Sequence, residues 1–311
     1  MGISNPFLEV YRSEGYTRPY KADLTKFPYI IDLEPTNNCN LDCIMCPRQI
    51  MTREKGKMDF ELFKRIADEV SEKGGKGIRL IGIGEPLLNP NIFEMIKYTK
   101  SKGLLAHMTT NGILLNKDKM EKIFDSGLDS IIFSLQGTTK EEYTKMRNNR
   151  LYDKLEKTIK NLVKKRNKLN SKLHIQVTTT LLDETEEQKK EFYDKWEKIV
   201  DRVDNWYTTL KNIAHVERVK PLLERERSEE HAGTGKCIEV RTKLTVFWNG
   251  DVSACCGDYN GSLVLGNVKE KSLYDLWHGE KLNGIREVLS RNERHKIPLC
   301  ANCNNKFLEN D

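Results

Sequence analysis

No stretch of this 311-residue chain is apolar for long enough to cross a membrane, and the opening MGISNPFLEVYRSEGYTRPYKADLTKFPYI lacks the apolar core of a secretory signal. A cytoplasmic protein with no membrane span is therefore expected. A myristoylation signal at Gly2 would need Ser or Thr where Pro6 stands, which argues against that anchor. No aromatic residue interleaves the lysines of KNLVKKRNKLNSK (160–172), so the net charge of +6 is taken as a solvated helix face and nucleic-acid binding is not expected.

Eight cysteines are present. In a reducing compartment they argue against a disulfide framework and for metal or redox chemistry. The length suits one large α/β domain with a smaller appendage.

From residue 29 to about 210, β-rich runs alternate with amphipathic helical stretches. Strands are predicted at 29–33, 76–83, 104–110, 130–135, 173–180 and 205–210, with helices at 58–74, 91–102 and 117–125, from 140 and from 151, and at 186–200. This rhythm implies parallel crossovers and a partial (βα)6 TIM-like barrel, with function at the C-terminal strand ends. Residues 1–28 form an N-terminal extension and 211–236, densely charged and then Gly-rich, a linker or cover. Residues 237–311 form a small cysteine-containing domain.

In EPTNNCNLDCIMCPR, Cys39, Cys43 and Cys46 follow the first strand with C-x3-C-x2-C spacing. Zinc sites favour C-x2-C pairs with a fourth ligand nearby, and no further Cys or His lies in this loop. A cubane cluster on three thiolates keeps one iron without a protein ligand. This triple resembles the signature of the radical S-adenosylmethionine (SAM) superfamily. The resemblance implies a SAM-binding 4Fe-4S cluster that produces a 5′-deoxyadenosyl radical, and a reducing partner such as flavodoxin or ferredoxin.

Other residues extend the resemblance. Met45 stands where an aromatic residue is usual, and its backbone is expected against adenine. Gly84-Glu85-Pro86 resembles the Gly-Gly-Glu-Pro motif that recognises the SAM ammonium group, with Ile83 in place of the first glycine. Thr110 and Asn111 at the end of the third strand, Ser134 at the end of the fourth, and Arg147 are expected to contact the ribose or a carboxylate. Helix capping and turn formation are the alternative for Thr110 and Asn111. A surface role is the alternative for Arg147.

Cys237, Cys255, Cys256, Cys300 and Cys303 lie in the last quarter. KLTVFWNGDVSA is predicted as a hairpin, with Asn249-Gly250 as a type I′ turn signal. SLYDLWHGEKLNGIREVL is predicted as a helix broken at Gly279. The block resembles the twitch module, a shortened SPASM domain, in the spacing found in 2-deoxy-scyllo-inosamine dehydrogenases and the neomycin-pathway epimerases. That implies a second, auxiliary 4Fe-4S cluster on Cys237, Cys255, Cys300 and Cys303, with a zinc ribbon as the rival. Adjacent strand residues face opposite ways, which leaves Cys256 as a buried inert thiol or as a hydrogen donor.

Three reactions follow from the resemblance. One is abstraction of hydrogen from a carbinol carbon of a sugar or cyclitol, with Cys256 quenching the radical to give the epimer. Another is oxidation to a ketone, with the auxiliary cluster as electron acceptor. Modification of a ribosomal peptide is the third, and the brevity of the segment before the first strand disfavours it. A metal- or RNA-binding module is the non-enzymatic alternative.

Overall fold

Runs rich in Ile, Leu and Val form strands when their alternate residues can be buried against helices. In the computed structural model, which describes residues 2–15, 23–181, 184–207, 237–301 and 303, six such runs do so. They are β1 (Ile30–Leu33), β2 (Gly77–Leu80), β3 (Leu105–Thr110), β4 (Ser130–Ser134), β5 (His174–Leu181) and β6 (Arg202–Tyr207). Their neighbours pair in parallel in chain order, giving the expected partial barrel. The crossovers carry helices at Phe60–Glu72, Ile92–Ser101, Lys117–Asp125, Lys140–Arg147, Tyr152–Lys168 and Glu186–Trp196, hereafter α2 to α7. Asp59 starts α2 by accepting from the N–H groups of Glu61 and Leu62.

One face of the sheet packs on the helices. Ile31, Leu33, Ile78, Leu80, Met108, Ile131, Phe133, Ile175 and Val177 are fully buried there with Phe63, Ile96, Ile123 and Ile159. Each such side chain contributes about 1.5–3 kcal/mol.

The opposite, inner face is polar. Register aligns Thr245, Asp32, Arg79, His107, Ser130 and His174 in one row across the strands. Arg79 forks Asp32 at 2.6 and 2.7 Å, and Lys243 reaches both Asp32 (3.3 Å) and Glu239 (3.0 Å). Burial alone would raise the Asp32 pKa, but the two cations override it and hold the carboxyl down at about 2. His107 goes the other way: burial lowers it to about 3, and the neutral ring lies against Ser130 Oγ (3.1 Å) and Thr109 Oγ1 (2.9 Å).

The N-terminal extension contains a helix the sequence pattern missed, α1 (Pro6–Ser13), capped by Asn5. Phe7, Val10 and Tyr11 bury against Tyr29 and Ile30 at the N-terminal ends of the strands. The Tyr11 hydroxyl donates to the Thr242 carbonyl at 3.1 Å, and Ile3 bonds both His174 and Asp201. The sixth strand begins at Arg202 rather than 205, because its register to β5 pairs Gln176 with Arg202. The predicted linker or cover lies outside the described residues.

The cysteine-containing block shares the barrel's sheet. β7 (Lys243–Val246) pairs in parallel with β1, and β8 (Asp251–Ser253) and β9 (Val264–Asn267) continue antiparallel, giving nine strands in order 6-5-4-3-2-1-7-8-9. The β7–β8 turn is not type I′: of Asn249-Gly250 only Gly250 has positive φ (96°), and Phe247 N–H donates to the Asp251 carbonyl. The helix expected after β9 is broken at Gly279, as predicted, into Leu273–His278 and Glu280–Ser290.

Replacing Asp32 by Asn is expected to destabilise the chain by about 3–5 kcal/mol in urea unfolding, since Arg79 and Lys243 are left without their buried counter-charge. Asp32 has a depressed pKa, so its contribution is complete above the ordinary carboxylate range and disappears as pH falls toward about 2. The Asp32→Asn variant should lose that part of the wild type's acid dependence.

Candidate active site

The loop after β1 carries Cys39, Cys43 and Cys46 over the C-terminal strand ends. Its base is stapled by polar side chains in fixed roles. Asn37 donates to the Glu54 carbonyl (2.7 Å) and accepts from Gly56 N–H (2.8 Å), and Thr36 Oγ1 donates to the Gly56 carbonyl (2.5 Å). On the far side, Ile44 N–H donates to the Met146 carbonyl at 3.0 Å, tying the loop to α5.

The three cysteines line one cavity of about 280 Å³. The segment 82–85, the end of β3, Ser134, Gln136, Arg147 and Thr180 complete its wall, and Met45 contributes from within the loop. Burial lifts the Cys39 thiol and pushes Cys46 up to about 11, and each feels the charge of Cys43. Three thiols converging on one cavity fit a cationic cluster, whose coordination would remove their protons. Among the described residues no three His, Cys, Asp or Glu side chains form a single-ion site. The thiols are instead distributed along the wall.

Gly84 is a steric requirement. A Cβ there would collide with the Thr36 carbonyl and sit 2.7 Å from that of Asn38, whose oxygen already accepts from Glu85 N–H at 2.8 Å. The β2 loop and the cysteine loop thus touch backbone to backbone, and the cavity is walled there by main chain.

Several expected contacts have other partners. The Glu85 carboxylate, 1% exposed, accepts from Thr110 Oγ1 (2.6 Å), Asn111 N–H (2.8 Å) and Leu87 N–H (3.1 Å). Desolvation raises its pKa against those bonds. Three of its acceptor sites are used in shaping the wall and Oε2 takes only one of those bonds, so the acid keeps acceptor capacity in a cavity that it lines together with main-chain oxygens. Pro86 lies outside the cavity wall and opens a 3-10 turn, Pro86–Leu88. Asn111 donates to Asn40 Oδ1 (3.0 Å) with its Nδ2 3.9 Å from Cys39 Sγ. Arg147 is buried, not on the surface: Nη1 lies 3.2 Å from Cys43 Sγ, Nε donates to the Leu135 carbonyl (3.1 Å), and Nη2 donates to the Ser134 carbonyl.

Gln136 escaped the sequence reading. It follows β4 at φ 71°, a conformation uncommon for a residue with a Cβ, and its buried Oε1 has no hydrogen-bond partner among the described residues. The loop is held there by Leu135 N–H to the Thr178 carbonyl (2.8 Å) and Thr179 Oγ1 to the Gly137 carbonyl (2.9 Å). The only sequence signal was the Gly137 that follows.

The second set of cysteines lies around the 255–263 turn. Asp258, also unremarked in the sequence, organises that turn by accepting from Ser253 Oγ (2.8 Å), Ser262 N–H (2.7 Å) and Leu263 N–H (2.8 Å). Cys300 is near enough to feel both Cys303 and Asp258, and Cys237 feels Cys300; burial pushes Cys300 to about 11 and Cys237 to about 12. Cys255 Sγ accepts from Gly257 N–H at 3.3 Å. Cys256 is solvent-exposed and within electrostatic reach of Glu239, Lys243 and Arg79. Both cysteines follow β8 in the turn, where the Cys256 side chain hydrogen-bonds that of Cys255, which together with desolvation raises the Cys256 thiol well above its ordinary value.

The two cysteine loops are clamped together. Arg53 forks the buried Glu34 at 2.9 and 2.8 Å, donates to the Tyr259 carbonyl (2.8 Å) and lies 3.8 Å over the Phe247 ring. Thr52 N–H donates to Asn260 Oδ1 (2.8 Å), and Trp248 Nε1 donates to the Glu54 carbonyl (3.1 Å).

Comparison with known proteins agrees with this geometry. Residues 33–195 match the family model described as the radical SAM superfamily, and residues 237–304 that of the SPASM iron-sulfur cluster-binding domain. The chain is 26% identical to a tungsten-containing aldehyde ferredoxin oxidoreductase cofactor-modifying protein of Pyrococcus furiosus, over 87% of this chain and 86% of the relative. It is 24% identical to a SAM-dependent 2-deoxy-scyllo-inosamine dehydrogenase of Niallia circulans, over 91% and 95%. Among solved structures, BtrN in complex with AdoMet and 2-DOIA superposes with a TM-score of 0.59 at 21% identity, covering 90% of this chain and 94% of that one. SuiB of Streptococcus suis bound to S-adenosylmethionine gives 0.67 at 20%, covering 91% and 73%.

Replacing Gly84 by Ala is expected to weaken SAM binding by tenfold or more while the cluster iron is retained, because the two touching loops must part by about 1 Å to admit the methyl group. Equilibrium binding of SAM to anaerobically reconstituted protein, with iron counted in parallel, checks this.

Proposed function

Since the chain belongs to the radical SAM superfamily, we propose that it abstracts a hydrogen atom from a carbinol C–H of a sugar or cyclitol and that Cys256 returns one from the opposite face, giving the epimer. SAM and its 4Fe-4S cluster supply the 5′-deoxyadenosyl radical, and the SPASM region binds auxiliary iron-sulfur chemistry. Cys39, Cys43 and Cys46 would hold the first cluster, and Cys237, Cys255, Cys300 and Cys303 the second.

Several residues would prepare the site. Gly84 lets main-chain oxygens approach the SAM ammonium group, with Glu85 holding Thr110 and Asn111 in place behind it. Ser134 and Met45 would complete the SAM contacts. Arg147, fixed by two carbonyls, sets a positive charge beside Cys43. Ser134, Gln136, Thr109 and Thr180 give the cavity an uncharged hydrogen-bonding wall suited to hydroxyl groups.

The observation that carries the reading is the position of Cys256, a solvent-exposed thiol within reach of the inner-face charges Lys243 and Arg79 and hydrogen-bonded to Cys255, so that a hydrogen-bearing thiol stands beside the auxiliary-cluster loop. Donation breaks its S–H bond and forms a substrate C–H bond. The thiyl left behind returns to thiol with one electron from the reductant and one proton from solvent. Oxidation of the carbinol to a ketone is the second reading, favoured by the likeness to the Niallia circulans dehydrogenase along nearly its whole length.

Incubating reconstituted protein with SAM, reductant and either 2-deoxy-scyllo-inosamine or a panel of glycosides in deuterated water separates the two. Epimerisation leaves the substrate formula unchanged and places deuterium at one carbon, whereas a product lacking two hydrogens overturns it in favour of the dehydrogenase. Cys256→Ala should retain SAM cleavage and iron content while deuterium incorporation falls to background.

A further inference from the structure

We propose that a small acidic electron-carrier protein docks on a lysine-lined groove between α4 and α6 to reduce the cluster site. This rests on the radical SAM reading of the cysteine cavity. The groove encloses about 440 Å³ and presents Lys117, Lys154 and Lys157 beside Asn116 and Asn161, all five exposed.

The local charge is uncompensated. Each nearby acid already has a lysine of its own: Glu121 pairs with Lys165, Asp118 with Lys122, Asp153 with Lys140, and Glu156 with both Lys160 and Lys195. Among the described residues, Lys117, Lys154 and Lys157 have no acidic partner. The 17 residues of α6 could have distributed its charges evenly. Instead three free cations share one concave face, which an acidic surface complements.

The groove is also next to the cluster loop. A Cβ on Gly112 would fall 2.5 Å from Leu155 Cδ1, so the first two turns of α6, which carry Lys154 and Lys157, bear directly on the segment after β3. The preceding residue, Asn111, has its amide 3.9 Å from Cys39 Sγ. Leu115, in the groove wall, is four residues from Asn111, a chain length of at most about 14 Å. A wall residue of the basic groove and a residue beside a cluster thiol thus belong to one short segment.

Redox encounters bury little surface and depend on charge complementarity for their rate, so a shallow groove with free lysines suffices. One electron leaves the reduced carrier and enters the cluster; no bond forms or breaks in that step, and the carrier departs oxidised.

The test is the rate of 5′-deoxyadenosine release by reconstituted holoenzyme, driven either by reduced flavodoxin or by dithionite. The triple variant K117E/K154E/K157E should lose roughly tenfold or more of the flavodoxin-driven rate at low salt and less than twofold of the dithionite-driven rate. Added KCl should slow the wild type with flavodoxin and leave the variant nearly unchanged. Equal flavodoxin-driven rates in variant and wild type overturn the proposal. So does a parallel loss with both reductants in this variant and in K117Q/K154Q/K157Q, which would assign the lysines to the fold. Loss of RNA retention at an unchanged flavodoxin rate overturns it in favour of a nucleic-acid surface. Wild type that releases no 5′-deoxyadenosine with dithionite would instead refute the radical SAM chemistry itself.

Discussion

The buried Asp32 carboxylate is the point on which the two parts of the molecule meet. It sits mid-strand in β1, 1% exposed, with Arg79 of β2 on one side and Lys243 of β7 on the other. A charge so placed is tolerated only with partners in fixed geometry, and those partners are supplied by the barrel and by the cysteine-rich block respectively. The ion network therefore specifies that β7 lies beside β1, and it keeps the inner face of the sheet polar where a closed apolar core would leave no room for a substrate.

Two residues beyond Asp32, just past the end of β1, the same arrangement recurs with Glu34. Its fork with Arg53 brings the segment after Cys46 against Phe247 and Tyr259, near Cys255 and Cys256. Both cysteine loops are thus referenced to a single strand. The separation of the two cysteine loops is set by backbone pairing and buried charge, which do not bend easily. Loops joined only by a tether would not achieve this.

Much of the barrel was legible because its signals are local. The span Lys117–Asp125 was read to the residue, since Asn116 caps one end and apolar Met120 and Ile123 mark the buried stripe. Asp59 and Gly279 acted where predicted. The misreadings came where a distant partner decides. The run NWYTTL drew the sixth strand three residues late, because Arg202 and Asp204 look unlike strand residues until Gln176 is beside them and donates a hydrogen bond to Asp204. Asn249-Gly250 carried the dipeptide of a type I′ turn, yet the chain closes with Gly250 alone at positive φ. Helix α1 went unseen because its apolar residues matter only once the strand ends they cover are in place.

The cysteine spacing by itself pointed away from a zinc site and toward a cluster with one iron lacking a protein ligand, because the number and order of thiolates on a short loop limit which metal centre can form, and its resemblance to the radical SAM signature supplied the rest. Alternation of strands and helices determined the barrel for a similar reason: burial of one face follows from composition. Tertiary structure alone decided the work of the individual polar groups. Glu85 and Thr110 both line the cavity, but only their mutual hydrogen bond reveals that the acid helps to hold the wall itself. Arg147 was expected against a ribose or a carboxylate, and only the packed structure shows two carbonyls and a thiol around it. A polar side chain's function depends on which partners remain free, and that is a property of the packed molecule.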